Sequence, residues 1–187
     1  VGGNADDYLF GGSGNDTLLG GNGNDTADYF GTAGVTVNLA AGKAIGGAGT
    51  DSLSGIENVN GSLGNDTLLG SSGTNELFGD AGADSIIGYG GNDTLGGGVD
   101  NLADTLVGGT GDDLYLVNSA NDVITELASE GSDIVESTAT NYTMANYVED
   151  GYLGSGGVNL TGNALNNDIE GNNTNNKLSG ADGNVDD

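Results

Sequence analysis

A nine-residue phrase recurs in tandem along this chain and restricts the possible fold more than any other feature of the sequence. In residues 11–19 the phrase has glycine at its first, second and fourth positions, Asp16 at its sixth and Leu18 at its eighth. A short period of this kind is typical of solenoid proteins, in which each repeat packs only against its neighbours. The other clear copies span residues 2–10, 20–28, 46–54, 61–69, 70–78, 79–87, 88–96, 97–107 and 108–116.

Outside these copies the nine-residue spacing is less regular but can still be followed. Residues 29–45 and 55–60 interrupt it, although the segment from Val35 to Leu39 alternates like a strand and can be interpreted as a degenerate coil of the same stack. Near the end of the chain the spacing continues, but the sixth position becomes Asn167 and then Asn176. We therefore expect one solenoid domain over residues 1–187, divided into regular repeats (1–28 and 61–116), interrupted coils (29–60), degenerate coils (117–160) and Asn-rich coils (161–187).

The alternative for a chain with 39 glycines is a flexible, disordered linker. Glycine in a linker carries no phase, whereas here an acidic and an apolar residue recur two positions apart behind each glycine cluster. The ordered repeat is therefore the better interpretation.

Each position of the repeat has a chemical reason. Glycine at the first, second and fourth positions permits backbone angles that other residues avoid, so that a turn can direct its carbonyl oxygens around a cation. Asp at the sixth position adds an anionic oxygen, and a hard cation with six to eight oxygen ligands suits such a cage. The eighth residue points inward from a short strand. One large side chain per repeat cannot offset the entropy of ordering that repeat, so stability requires many stacked coils.

Charge also argues for bound cations. The chain has 28 acidic residues and 2 basic ones, Lys43 and Lys177, which gives a net charge of −26. Stacked aspartates without counterions repel one another strongly. One Ca²⁺ for each of the nine clear sixth-position aspartates would change the net charge from −26 to about −8. Metal binding would then supply part of the folding free energy.

The repeats resemble the RTX (repeats-in-toxin), or hemolysin-type, calcium-binding nonapeptides of secreted bacterial proteins. The resemblance implies an all-β, right-handed parallel β-roll with two repeats in each coil and multiple Ca²⁺ ions held between turns two repeats apart. The ligands that it implies are aspartate carboxylates and turn carbonyls, at Asp7, Asp16, Asp25, Asp51, Asp66, Asp84, Asp93, Asp104, Asp113, Asp122, Asp133, Gly12, Gly14, Gly21, Gly23, Gly82, Gly91, Gly109 and Gly111.

The resemblance further implies which aspartates share an ion. The expected pairs are Asp7 with Asp25, Asp66 with Asp84, Asp84 with Asp104, Asp93 with Asp113, Asp104 with Asp122, and Asp113 with Asp133. Asn75 departs from the pattern, and the interruptions leave Asp16 and Asp51 without assigned partners.

The resemblance implies export by a type I apparatus and folding outside the cell. The sequence contains no Cys, and no apolar stretch has the length of a signal peptide or a membrane span. It begins at a repeat boundary, which suggests a segment of a longer or processed protein.

Catalysis and nucleic-acid binding are not expected. The chain has no His, Cys or Trp, and two lysines cannot form a basic groove. Tyr142, Tyr147 and Tyr152 allow an aromatic patch for a neutral glycan or protein, but we favour local packing. The remaining glutamates are scattered and are interpreted as solvated side chains: Glu57, Glu126, Glu130, Glu136, Glu149 and Glu170.

These observations predict a calcium-binding structural β-roll of a secreted or cell-surface bacterial protein, not an enzyme. The alternative is the C-terminal export and folding module of a type I-secreted hydrolase or adhesin. Head-to-tail stacking into homo-oligomers or fibres is a further expectation, because another turn begins at Gly180–Gly183. In the Asn-rich coils we expect ordered turns without calcium, held together by amide hydrogen bonds.

Overall fold

Short strands of the repeats build a parallel β-solenoid. The structure is a computed structural model and describes residues 1–31, 33–47 and 49–181. Within these ranges the chain forms twenty strands, numbered β1 to β20 in chain order, and no helix. Accordingly, none of the described segments is a helix of the length and apolarity needed to cross a membrane.

The strands of the first sheet form one face of the solenoid and are all parallel. They are β1 (Tyr8–Phe10), β3 (Thr26–Asp28), β7 (Asn58–Ser62), β9 (Glu76–Asp80), β11 (Thr94–Gly96), β13 (Leu114–Val117), β15 (Ile134–Ser137), β17 (Asp150–Leu153) and β19 (Asp168–Glu170).

The second sheet contains eight strands. In spatial order these are β14 (Val123–Thr125), β12 (Thr105–Thr110), β10 (Ser85–Gly90), β8 (Thr67–Ser71), β4 (Val35–Asn38), β5 (Lys43–Gly46), β6 (Gly49–Ser54) and β2 (Thr17–Leu19). A third sheet of three parallel strands contains β16 (Asn141–Thr143), β18 (Asn159–Thr161) and β20 (Lys177–Ser179).

Strand register confirms that two nonapeptides make one coil. Tyr8 pairs with Thr26 in the first sheet and Thr67 pairs with Ser85 in the second, so each residue meets its equivalent one coil later. The all-β, parallel β-roll architecture expected from the sequence is therefore confirmed. Residues 182–187, which belong to the expected Asn-rich coils and include part of the turn that begins at Gly180, lie outside the described residues.

Eighth-position side chains form the core. Leu68 and Ile86 in one sheet, and Leu77 and Leu95 in the other, are completely buried. Burying one such side chain contributes roughly 1.5–3 kcal/mol, whereas ordering the backbone costs roughly 1–2 kcal/mol per residue. A single repeat is therefore unstable alone, and the core exists only because coils stack.

Residues 29–54 depart from the coil geometry. β4 pairs in parallel with β8, and β6 pairs in parallel with β2, as coil strands do. Between them lies β5, which runs antiparallel to both neighbours. The strand predicted at Val35–Leu39 is thus confirmed at Val35–Asn38, and it stacks on β8 as a coil strand does, but the antiparallel strand that follows it was not expected.

A tight turn after β4 explains the reversal of the chain. The Ala41 N–H donates to Asn38 Oδ1 at 2.7 Å. Gly42 follows with φ of 63°, a left-handed conformation that glycine adopts without strain. The resulting hairpin returns the chain antiparallel and inserts an extra strand into the second sheet.

Truncation of a core side chain tests the stacking. Leu95 is completely buried and lies between Leu77 and Tyr115 of the adjacent coils. We expect Leu95→Ala to lower the free energy of unfolding by about 2–5 kcal/mol because it leaves a cavity. Urea unfolding in saturating calcium measures the change.

Leu63 provides the control because its side chain is 55% exposed. Leu63→Ala should change the unfolding free energy by less than about 0.5 kcal/mol. Equal urea midpoints for the two variants would contradict the assignment of the core.

Candidate metal centre

Sixth-position residues stack in two columns, one at each edge of the solenoid. Column 1 precedes the strands of the first sheet, and column 2 precedes those of the second. In column 2 the Asp66 N–H donates to Asp84 Oδ1 at 2.7 Å, and the Asp84 N–H donates to Asp104 Oδ1 at 2.9 Å. Each carboxylate is therefore held one coil away from the next, in a position set by strand register.

All six expected pairs are neighbours in these columns. The same backbone-to-carboxylate hydrogen bond joins Asp7 to Asp25 (2.9 Å), Asp93 to Asp113 (2.7 Å), Asp104 to Asp122 (3.2 Å) and Asp113 to Asp133 (2.9 Å). These contacts place the side chains together, but they do not by themselves identify metal ligands.

Asp16 and Asp51, which had no assigned partners, are partners of each other. The Asp16 N–H donates to Asp51 Oδ1 at 2.9 Å across 35 residues of sequence. Because β2 pairs with β6, these two aspartates stack directly, whereas β5 and β4 separate them from Asp66 in column 2. Asp51 also bonds to the buried Tyr29 hydroxyl, and burial followed by the charge of Asp51 raises the tyrosine pKa.

Glutamates complete column 1, which the sequence interpretation missed. Glu57 Oε2 accepts from the Asp25 N–H at 2.9 Å, and Glu149 Oε2 accepts from the Asp133 N–H at 2.9 Å. Each glutamate lies two residues before a buried strand position, Val59 or Gly151, which is the signal that the sequence contained.

The interpretation of all six glutamates as solvated is therefore wrong in part. Glu57, Glu149 and Glu130 are half-buried, and Glu126 is only 5% exposed. Glu136 and Glu170 are exposed, as expected.

One carboxylate oxygen is left unpaired in many of the turns. Among the described residues, a buried Oδ2 atom without a hydrogen-bond partner occurs at Asp16, Asp25, Asp84, Asp93, Asp104 and Asp113. Burial of an unpaired anionic oxygen is costly, so these atoms require a cation or a proton.

The pKa values reflect this cost. Burial, together with the charges of Asp66 and Asp104, raises the pKa of Asp84 to about 7, although the Asp66 N–H opposes the shift. Burial and the charge of Asp113 likewise raise the pKa of Asp93 to about 7. Burial also raises the pKa of Asp104 to about 6. It raises the pKa values of Asp113, Asp122 and Asp133 as well.

Backbone conformation distinguishes these turns from the others. We call a turn open when its second residue has a positive φ and its sixth-position Oδ2 is unpaired. The second residues of the open turns are Gly12 (78°), Gly21 (125°), Asp80 (71°), Tyr89 (77°), Gly98 (133°) and Gly109 (98°). Fourth-position glycines with positive φ include Gly14, Gly23, Gly82, Gly91 and Gly111.

The first-position glycine serves a different purpose from the one expected. No first-position glycine in the described repeats has a positive φ. A Cβ atom at Gly88 would instead overlap Asp93 Oδ2, and it would lie 2.8 Å from the Gly108 carbonyl oxygen of the next coil. Glycine is required there because the carboxylate and a carbonyl already fill the space.

Closed turns satisfy the sixth-position oxygens from within. We use this name for turns in which N–H groups at or beside the second position donate to the sixth-position side chain. The Ser62 N–H donates to Asp66 Oδ2 at 2.6 Å, and Ser62 Oγ donates to Asp66 Oδ1 at 2.8 Å. Asp122 Oδ2 accepts from the N–H groups of Ser119 and Asn118 at 3.0 and 3.1 Å.

Asparagine at the sixth position also gives closed turns. Asn167 Oδ1 accepts from the Asn163 N–H at 2.9 Å, and its Nδ2 donates to the Glu149 carbonyl of the preceding coil at 2.9 Å. Asn75 repeats the arrangement, with Nδ2 donating to the Glu57 carbonyl at 2.7 Å. The amide thus supplies donors to carbonyl oxygens, as a cation would.

The expectation of ordered Asn-rich coils held by amide hydrogen bonds is confirmed for the described residues. β18 pairs with β20, and Asn172 Nδ2 donates to the carbonyls of Gly154 and Gly157 at 2.7 and 2.8 Å. Within a turn the amides bond to one another, from Asn167 Nδ2 to Asn163 Oδ1 at 3.1 Å and from Asn176 Nδ2 to Asn172 Oδ1 at 3.0 Å. Between coils the described Asn-rich amides bond to main-chain carbonyls, and not side chain to side chain as an Asn ladder would require. A continuous aromatic patch does not form either, since Tyr142 is a buried core residue.

Buried carboxylates and glycine turns are the donor set that Ca²⁺ prefers. The sequence model of the RTX calcium-binding nonapeptide repeat matches the chain in four copies, at residues 1–28, 53–85, 69–101 and 102–124, which together cover more than half of it. A search of curated proteins finds no match. The chain belongs to the RTX calcium-binding nonapeptide repeat family, and it is a β-roll that binds multiple Ca²⁺ ions.

Proposed function

We propose that the open turns hold the calcium ions. Each has a buried carboxylate oxygen with no protein partner, and this observation supports the proposal most directly. The carboxylate ligands would be Asp16, Asp25, Asp84, Asp93, Asp104 and Asp113. Carbonyl oxygens from the glycine turns would complete the shell, at Gly12, Gly14, Gly21, Gly23, Gly82, Gly91, Gly109 and Gly111.

The other candidate aspartates have secondary roles in this proposal. Asp66 and Asp122 lie in closed turns and have both oxygens paired, so a cation gains less from them. Asp7, Asp51 and Asp133 remain candidate ligands because each belongs to a column with an unpaired neighbour. The Asn-rich turns would bind no calcium, since their amides already satisfy the carbonyls.

The module would serve as a calcium-dependent structural unit that folds outside the cell. With a net charge of −26 and buried carboxylates in successive coils, the calcium-free chain opposes its own folding. Calcium removes that repulsion, and its binding energy becomes folding energy. This supports a secreted or cell-surface bacterial protein, exported before it folds and forming a single β-roll over residues 1–187.

A non-catalytic role is part of the proposal. The sequence has no His or Cys, and the buried carboxylates of the described residues belong to the stacked turns. The alternative, an export and folding module attached to a hydrolase or adhesin, and self-association into fibres both stay predictions. The complete reading frame would show whether a hydrolase or adhesin domain is attached or whether the protein consists of repeats alone.

Calcium titration tests the central proposal. Circular dichroism from excess chelator to millimolar Ca²⁺ should show a cooperative gain of β signal, because the metal neutralises the columns. Magnesium should substitute poorly, since it keeps its waters and requires a rigid octahedron. A full β spectrum in chelator, or equal folding in magnesium alone, would refute the proposal.

Asp84 is the most informative single ligand. Its N–H and one carboxylate oxygen link adjacent coils, and its Oδ2 is unpaired. We expect Asp84→Ala to raise the calcium midpoint of folding roughly tenfold, on the order of 1.4 kcal/mol, because alanine removes the carboxylate without supplying the amide donors of an Asn turn. Glu76→Ala, which removes one exposed carboxylate, is the matched control and should leave the midpoint nearly unchanged. Identical midpoints for the two variants would remove Asp84 from the ligands.

Protons should compete with calcium near neutral pH. The pKa values of Asp84 and Asp93 are raised to about 7 in the calcium-free fold, so a cation must displace a proton below that pH. A raised pKa stabilises the calcium-free fold at low pH, and this contribution is lost as pH rises through 7. We expect the calcium midpoint of folding to decrease as the pH falls from 8 to 6, because protons then replace part of the calcium at these carboxylates. An Asp84→Asn, Asp93→Asn double variant should show a smaller decrease; an equal decrease would assign the effect to other groups.

A further inference from the structure

Glu126 occupies a position that is glycine in the regular repeats. It follows Ile124, the buried eighth residue of a repeat, by two positions, and therefore stands at the first position of the next turn. At Gly88 and Gly108 the equivalent residue lies directly against the sixth-position carboxylate of its own turn. A glutamate side chain at this position therefore lies inside the turn, next to the sixth-position carboxylate.

Three carboxylates meet at this point. Oxygen atoms of Asp113, Glu126 and Asp133 all lie within 4.8 Å of one another. The three side chains are buried, with exposed fractions of 2%, 5% and 1%. Asp113 and Asp133 are consecutive members of column 1, joined by the Asp113 N–H to Asp133 Oδ1 hydrogen bond of 2.9 Å.

A tyrosine hydroxyl fixes the glutamate. Tyr115 is the only tyrosine among the buried eighth-position residues of the first sheet, and it is completely buried. Its hydroxyl accepts from the Gly108 N–H at 2.8 Å and donates to Glu126 Oε1. The glutamate carboxylate is therefore oriented before any cation arrives.

Two oxygens of the cluster have no partner. Glu126 Oε2 and Asp113 Oδ2 are buried and make no hydrogen bond in the described part of the chain. The only basic side chains of the sequence are Lys43 and Lys177, and both are exposed in other coils. Three buried carboxylates without a basic partner require a cation or protons, and the two unpaired oxygens face one another's charge in a single cluster.

We propose that Asp113, Glu126 and Asp133 form a three-carboxylate calcium site, with Glu126 as a ligand additional to the turn aspartates. The proposal rests on the calcium-dependent folding proposed above, but it depends on a different residue. Calcium affinity rises with the number of anionic ligands. This site therefore fills at lower calcium concentration than the other open turns and is the first to order.

Terbium luminescence tests the site because Tb³⁺ is a hard cation and tyrosine sensitises its emission at short range. Wild-type protein titrated with Tb³⁺ should show an emission phase that saturates near the first equivalent. Tyr115→Phe should lose most of that emission while retaining the bound metal. Glu126→Gln should weaken the first phase at least tenfold, whereas Glu136→Gln, which changes an exposed glutamate, should leave it intact.

Metal analysis after equilibrium dialysis gives an independent count. Glu126→Gln should bind one Ca²⁺ fewer than wild type, while Asp84→Asn should retain the first terbium phase. Unchanged emission and an unchanged count in Glu126→Gln would overturn the proposal and assign Glu126 as a neutral acid bonded to Tyr115. If Glu126→Gln does not fold, anomalous scattering from wild-type crystals grown in calcium decides: a peak among the three carboxylates supports the site, and its absence refutes it.

Discussion

Repulsion between buried carboxylates is the constraint on which the structure depends. Parallel pairing with two repeats in each coil brings every sixth-position side chain to the same edge as its equivalent one coil away. The columns that result are almost entirely acidic, and the chain has only two lysines. Since the apolar core contributes only about one large side chain per repeat, the stack is stable only where each carboxylate finds a neutralising partner.

The chain satisfies this requirement in two ways. In open turns the second residue has a positive φ and the buried sixth-position Oδ2 has no hydrogen-bond partner, so that we propose a cation as its partner. In closed turns Ser62 or Asn163 at the second position donates its N–H to the sixth-position side chain. The conformation of one turn residue therefore accompanies the difference between the two kinds of turn. Both kinds share the same register and stack in one solenoid.

Departures from the repeat carry the most specific information. The hairpin containing β5 lengthens the second sheet, and β6 returns to pair with β2, so that Asp16 and Asp51 stay together. In column 2 the strands β4 and β5 separate this pair from Asp66. Glu57 and Glu149 replace aspartate in column 1, where a longer side chain reaches the same N–H group. Glu126 replaces glycine and adds a third carboxylate between two coils. Each of these glutamates changes the chemistry of one turn and leaves the parallel stacking intact, whereas the hairpin changes the second sheet itself.

The sequence by itself determined the solenoid and the buried eighth-position residues such as Leu68 and Ile86. These follow from a local period, because each position repeats the same environment. The two repeats in each coil, and with them the pairs of aspartates in adjacent coils, were implied by the resemblance to the calcium-binding nonapeptides. Only the tertiary structure decided that Asp16 pairs with Asp51, that Asp66 is already satisfied and that Glu126 is buried beside Asp113. The physical reason is that such contacts depend on which strand lies alongside and on the φ of one turn residue, and neither is expressed in the period.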